Sequence, residues 1–155
     1  MITLQTVQAK DRELLWNINQ KYLYEMTHFY NDPMDEKGNY HYGHFDEYFT
    51  DPKRLAYFIY NGETLIGFAL LCPYPNIAWE PDYTMAEFTI FPAYRRQHYA
   101  LEAAKMILAK HPGKWEIKYN EKNLGGKRLW NTVASAYNPT VYNLNEEETV
   151  LAFVV

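Results

Sequence analysis

The stretch Glu87-Phe88-Thr89-Ile90-Phe91-Pro92-Ala93-Tyr94-Arg95-Arg96-Gln97-His98-Tyr99-Ala100 decides how this chain is read. Thr84–Phe91 is rich in β-branched and aromatic residues and reads as a strand. A short basic segment follows Pro92, and Arg95–His111 reads as a helix with Ala100, Ala103, Ala104, Ile107 and Leu108 on its inner stripe. Pro112-Gly113 stops that helix. A strand that runs through a basic loop into a helix start builds an anion site. The first helical N–H groups lack partners, and the helix dipole places partial positive charge there. Arg95 and Arg96 add formal charge, so the pyrophosphate of a nucleotide-like cofactor suits this loop.

Working outward, Leu55–Tyr60 and Thr64–Cys72 are two β-rich runs joined by Asn61-Gly62, a hairpin signal in which positive φ is cheap. Ile2–Val7 suits an opening strand. Lys10–Phe29 carries Leu14, Leu15, Ile18, Tyr22 and Met26 at the spacing of an amphipathic helix. Asn31–Gly43 reads as a long loop, and Phe45–Phe49 as a helical turn. Downstream, Lys114–Tyr119 is a fifth strand. Asn123–Tyr137 is a helix with Gly126, Leu129, Trp130, Val133, Ala134 and Tyr137 on one side, and Val141–Leu144 and Thr149–Val155 close the chain as a strand pair. The order is β-α-β-β-β-α-β-α-β-β, which predicts an α/β fold: a mixed sheet with helices on both faces.

The 155 residues fit a single domain, 1–155, large enough to bury a core without staples. A single cysteine, Cys72, excludes an intrachain disulfide and makes the cytoplasm the default compartment. No apolar run approaches the ~18 residues of a membrane helix, so no membrane partner is expected. The net charge of −4 argues against nucleic acid, whose binding rests on neutralised phosphates, and is compatible with a cationic acceptor.

The loop resembles that of the GCN5-related N-acetyltransferase (GNAT) family. That family reads Arg/Gln-x-x-Gly-x-Gly/Ala after a strand ending near Pro, and Arg95-Arg96-Gln97-His98-Tyr99-Ala100 follows Pro92 and Tyr94 here. Asn123, Gly126, Leu129 and Trp130 match a second family pattern on the later helix, and the whole strand order agrees. The resemblance implies a mostly antiparallel sheet of about seven strands and an enzyme, an N-acetyltransferase. It also implies acetyl-CoA as co-substrate and transfer by direct attack of a primary amine of a small molecule or peptide. Backbone groups of Phe88, Thr89 and Ile90 would then bond the thioester and pantetheine arm. Arg95 and the amides of Arg96, Gln97, His98, Tyr99 and Ala100 would cradle the pyrophosphate, and Asn123 would bond the pantetheine or thioester region. His98 stands where the family has its first glycine. It adds a donor near phosphate, or else the loop has drifted and binds coenzyme A weakly or not at all; the alternative to an enzyme is a degenerate module that holds coenzyme A or a partner protein without chemistry.

An attacking amine with pKa near ~10.4 must lose a proton, and a carboxylate can take it. Glu87 is the candidate general base, on the strand face shared with Thr89 and Phe91; the alternative is a strand-end Glu paired or in solvent. The family's acid position holds Trp130, which has no useful acid proton and reads as a core aromatic. Tyr119 or Tyr137 is then the nearest acid in sequence, or water serves. The aromatic first third, including Tyr24, Phe29 and Tyr30, would form the acceptor wall, where rings attract amine cations. Its alternatives are a satellite core or a homodimer contact. His41 and His44 beside Asp46 lack the converging ligands of a metal site, and no metal is expected. Cys72 reads as a small hydrophobe, Glu146-Glu147-Glu148 as a solvated turn, and Pro73–Asp82 as a mobile flap carrying Trp79 or a rigid loop.

Overall fold

In the computed structural model, which describes residues 1–155, seven strands form one sheet. They are β1 (Ile2–Thr6), β2 (Leu55–Asn61), β3 (Thr64–Cys72), β4 (Tyr83–Ile90), β5 (Lys114–Asn120), β6 (Thr140–Asn143) and β7 (Glu148–Val154). The spatial order is β1-β2-β3-β4-β5-β7-β6. Every pairing is antiparallel except β4 with β5, which need a crossover to run side by side. The crossover is α2 (Tyr99–Lys110); α1 (Arg12–Met26) and α3 (Leu124–Ala134) are the other helices. The predicted order of strands and helices, and the mixed sheet, are those observed.

Two boundaries move for physical reasons. The central helix begins at Tyr99 rather than Arg95: Pro92–Tyr94 makes a separate 3-10 turn, and Arg96 and His98 both lie at φ +63°, outside helical space. The β2–β3 turn is centred on Gly62-Glu63 rather than Asn61-Gly62, because Asn61 still pairs with Thr64 and only Gly62 takes positive φ. The last turn of the third helix tightens into a 3-10 turn at Ser135–Tyr137.

Alternation along the strands separates two cores. Tyr57, Ala69, Trp115, Ile117 and Leu151 pack under α2 and α3, meeting Ala104, Ile107, Leu108 and Val133. Phe58, Phe68 and Leu70 face the other way, under Leu15 and Ile18 of α1. Each such large apolar side chain contributes about 1.5–3 kcal/mol by leaving water. No helix is long and apolar enough to cross a membrane.

Two irregularities in the middle of the sheet position the site. Leu70 pairs with Glu87 but Leu71 pairs with Met85, so Ala86 is an extra residue, a β-bulge. Met85 therefore packs under α2 and α3, while Glu87, two residues on, turns to the α1 face with Leu70. The second irregularity is a splay. β4 and β5 pair only at Tyr83↔Trp115, Thr84↔Glu116 and Met85↔Ile117, and both strands run on beyond that point without pairing to each other. Gly67 permits the close approach of β3 here, since a Cβ would collide with the Thr89 carbonyl oxygen.

Candidate active site

The loop at the end of β4 is shaped by its backbone. Arg96 and His98 take positive φ on either side of Gln97, which does not. Such alternation turns successive N–H groups toward one concavity that suits an anion. The amides of Arg96, Gln97 and His98 donate to no acceptor within the protein. His98 is the N-cap of α2, with φ 63° and ψ 9°, and its imidazole makes no capping bond. The left-handed conformation costs a non-glycine residue roughly 1–2 kcal/mol. His98 thus adopts the geometry a glycine would. Arg96 does the same, which the sequence pattern did not reveal. The Arg96 side chain is exposed.

Arg95 departs from expectation. Its guanidinium turns back against the protein instead of lining the loop. Nη1 and Nη2 donate to Glu25 Oε2 and Oε1 of α1 at 2.7 and 2.6 Å. Nε donates to the Ile90 carbonyl at 2.7 Å, and Nη2 also reaches Thr89 Oγ1 at 3.2 Å. A planar fork suits this bidentate carboxylate pair. Arg95 therefore anchors the residue just before the strained loop to the C-terminal turn of α1.

On the α1 face, beside the splay, Glu87 Oε2 is buried with no hydrogen-bond partner. Burial pushes the Glu87 carboxyl up to about 8, against a downward pull from Lys118. Lys118 is the first residue of β5 past the last β4–β5 pair, and its Nζ lies 3.2 Å from Glu148 Oε2. The Tyr30 hydroxyl donates to the same oxygen at 2.8 Å, and Asn145 Nδ2 to Oε1 at 2.9 Å. Burial alone would raise the Glu148 carboxyl, but Asn145, Tyr30 and Lys118 hold it below the usual range. The phenols of Tyr22 and Tyr42 are raised, first by burial and then by the charge of Glu87. Glu87 is therefore a carboxyl with one buried, unpaired oxygen, within electrostatic reach of Lys118, Tyr30, Tyr22 and Tyr42.

The other expected residues fall in several places. Phe88 and Ile90 face α2, and Thr89 faces α1 with Glu87, as alternation predicts. Tyr99 and Ala100 open α2, with Asn61 Nδ2 donating to the Tyr99 hydroxyl at 3.1 Å. Tyr30 joins the Glu87 group, whereas Tyr24 does not. Residues on a helix turn by about 100° each, so a ring two positions from Tyr22 points away when Tyr22 packs edge-on against Phe68. Tyr24 is 62% exposed and lies over Tyr40. Phe29 is half-buried beside His28. Tyr119 and Tyr137 belong to the α2–α3 core, on the opposite face of the sheet from Glu87. The Tyr119 hydroxyl accepts from Asn131 Nδ2 at 3.0 Å, and Tyr137 stacks on Phe153. The structure does not bring either to the proposed base. Trp130 is a core aromatic, edge-on to Phe88 with centroids 5.0 Å apart. Asn123 caps α3, accepting from Gly126 N at 3.0 Å, so its carbonyl oxygen is engaged within the helix start.

Three residues of the region gave little sign in sequence. Glu148 is no solvated turn residue: it is the first residue of β7, with a side chain only 15% exposed. Lys118 lies within the fifth strand with nothing in the sequence to single it out. Glu116 is fully buried and accepts from Asn76 N and Nδ2 at 2.5 and 2.6 Å and from Trp79 Nε1 at 2.9 Å. Those bonds tie the Pro73–Asp82 segment to β5, which favours the rigid-loop reading over the flap. His44 pairs with Glu47 at 2.8 Å, and no group of three or more His, Cys, Asp or Glu side chains is placed to hold a metal ion.

A family model described as the acetyltransferase (GNAT) family matches residues 15–144. No curated protein matches the chain. Among solved structures, an acetyltransferase from Thermus thermophilus superposes with TM-score 0.71 at 15% identity, covering 100% of this chain and 97% of that one. Spermidine N-acetyltransferase from Vibrio cholerae, solved with CoA and spermine, gives 0.67 at 12%, covering 99% and 95%. The ribosomal-protein-S18-alanine N-acetyltransferase from Escherichia coli gives 0.62 at 16%, covering 100% and 94%.

Proposed function

The chain belongs to the GNAT acetyltransferase family, and from that premise we propose that it transfers an acetyl group from acetyl-CoA to a primary amine by direct attack, with Glu87 as general base. The observation that carries this reading is the unpaired, buried Oε2 of Glu87 at the mouth of the β4–β5 splay, with a loop of unpaired amides at the far end of the same strand. The residues present fit the co-substrate. The concavity formed at Arg96 and His98 supplies donors for a diphosphate, the start of α2 adds its dipole, and Arg96 adds a charge. Phe88–Ile90 have no strand partner on the β5 side, which leaves backbone groups for the amides of an extended arm. The anchoring of Arg95 removes its side chain from the phosphate set.

Bound acetyl-CoA would supply an acyl carbon activated as a thioester. The chain's own contribution is to hold the acceptor nitrogen at Glu87 and to take its proton. A carboxyl with pKa about 8 is a stronger base than an ordinary carboxylate, and it acts in the deprotonated fraction that grows as pH rises toward 8. The new N–C bond forms as the C–S bond breaks. A thiol with pKa near ~8.5 is stable enough as an anion to depart without a positioned acid. That is consistent with Tyr119 and Tyr137 lying on the other face of the sheet.

The test is thiol release with an amine panel, alongside thermal shift with acetyl-CoA. Acetyl-CoA should raise the melting temperature, as any ligand of the native state does. Glu87→Gln should keep that shift and lose turnover. Normal turnover in Glu87→Gln would remove the base, and no thiol release with any amine would leave only the binding-module alternative.

A further inference from the structure

The carboxylates around the splay are not equivalent. Glu25 is held bidentately by Arg95. Glu116 is saturated by Asn76 and Trp79. Glu148 accepts from Tyr30 and Asn145 and pairs with Lys118. Only Glu87 keeps a buried oxygen without a partner. Lys118, on the neighbouring strand, is the cation whose charge acts on it. Glu87 is the first residue past the bulge of β4, and Lys118 is the first past the last β4–β5 pair; both lie on the α1 face. An ammonium carries three N–H donors, and the one carboxylate bound to Lys118 leaves donors to spare.

This pattern selects among amines. A single free carboxylate oxygen accommodates one ammonium. A second ammonium on the same molecule would find no second buried carboxylate oxygen left without a partner and would meet Lys118, a like charge. A carbonyl oxygen next to the amine would meet a donor instead. We propose that the acceptor is an α-amino carbonyl group, in an amino-acid derivative or at a peptide N-terminus, with its nitrogen at Glu87 and its carbonyl oxygen on Lys118. The inference rests on the transferase reading above, and it makes Lys118 the residue that determines specificity.

The test compares kcat/KM for four acceptors: alaninamide, glycylglycine, propylamine and spermidine. They are measured with the wild type, Lys118→Met and Lys118→Arg, each checked for an intact acetyl-CoA thermal shift. The wild type should prefer alaninamide and glycylglycine to both propylamine and spermidine. Lys118→Met should lower the alaninamide-to-propylamine ratio by about tenfold or more, the loss expected for one hydrogen bond to a charged group. Lys118→Arg should restore most of it. Each amine's own basicity is the same for every variant and cancels in this ratio of ratios. A merely structural Lys118 would lower all four rates together. Spermidine used as well as alaninamide by the wild type, or an unchanged ratio in Lys118→Met, would overturn the inference while leaving the transferase reading intact. No thiol release from any of the four while another amine of the panel supports it would overturn the inference alone, and none from the whole panel would overturn both.

Discussion

The loop after β4 and the polar group on the α1 face lie at the two ends of one stretch of chain, Glu87–His98, and they are built in opposite ways. The loop works through its backbone. Its side chains are replaceable as long as φ alternates, so Arg96 and His98 can stand where glycine would be easier. The polar group works through side chains drawn from three strands and one loop: Glu87 from β4, Lys118 from β5, Glu148 from β7 and Tyr30 from just beyond α1. Backbone sites tolerate substitution at a cost in strain, whereas side-chain sites fail when a single functional group is lost. Arg95 and Glu25 tie the loop to α1, the helix on the same face of the sheet as the polar group.

The largest effect that could break this contrast is at Glu87. Glu87→Gln should lower kcat by about 10²–10⁴, the usual worth of a positioned base, with acetyl-CoA binding unchanged. The wild-type kcat/KM should rise with pH through a limb near 8 that Glu87→Gln lacks. The same group carries a stability signature. Its folded pKa lies above its unfolded value, so the native state binds the extra proton. Stability is therefore full at low pH and is lost as pH rises toward 8. Denaturant melts of wild type and Glu87→Gln should diverge across that window, with the variant gaining relative stability on the alkaline side.

An intermediate effect is expected at the tie. Glu25→Ala should weaken acetyl-CoA binding several-fold although Glu25 is on α1, because Arg95 then no longer anchors the strained loop. Glu25→Ala and Arg95→Ala should be non-additive by about 0.5–3 kcal/mol in a double-mutant cycle of binding. Additivity would mean that the two ends are independent. A smaller effect is expected within the loop. His98→Gly should relieve about 1–2 kcal/mol of left-handed strain, partly offset by the greater freedom of glycine in the unfolded chain, for a modest rise in melting temperature. Calorimetry should find acetyl-CoA affinity preserved. The smallest change is at Tyr24, whose exposed ring lies outside the polar group. Tyr24→Ala should alter stability by no more than about 0.5 kcal/mol and leave kcat/KM unchanged.

The same contrast explains what the sequence could show. The fold was legible because alternating and helical periods fix which side of each element is apolar, and the order of elements then fixes the sheet. The loop was legible because its place between a strand and a helix does not depend on its side chains. The partners on the α1 face were not. Glu148 ends a run of three glutamates and looks solvated until β7 pairs with β5 and sets it opposite Asn120. Lys118 becomes a site residue only because β5 parts from β4 directly before it. Glu87 owes its direction to pairing with Leu70, and the bulge at Ala86 that sets it opposite Met85 leaves no mark in the sequence. Arg95 looked like a phosphate ligand because its partner, Glu25, is 70 residues away along the chain.

The backbone amides of Arg96, Gln97, His98 and Tyr99 can be followed one by one in a nitrogen–proton NMR titration with acetyl-CoA. They should shift together, more than any other contiguous group, and to the same end point in Arg96→Ala. If acetyl-CoA binds while these four resonances stay where they are, the diphosphate lies elsewhere and the loop is only a turn between a strand and a helix.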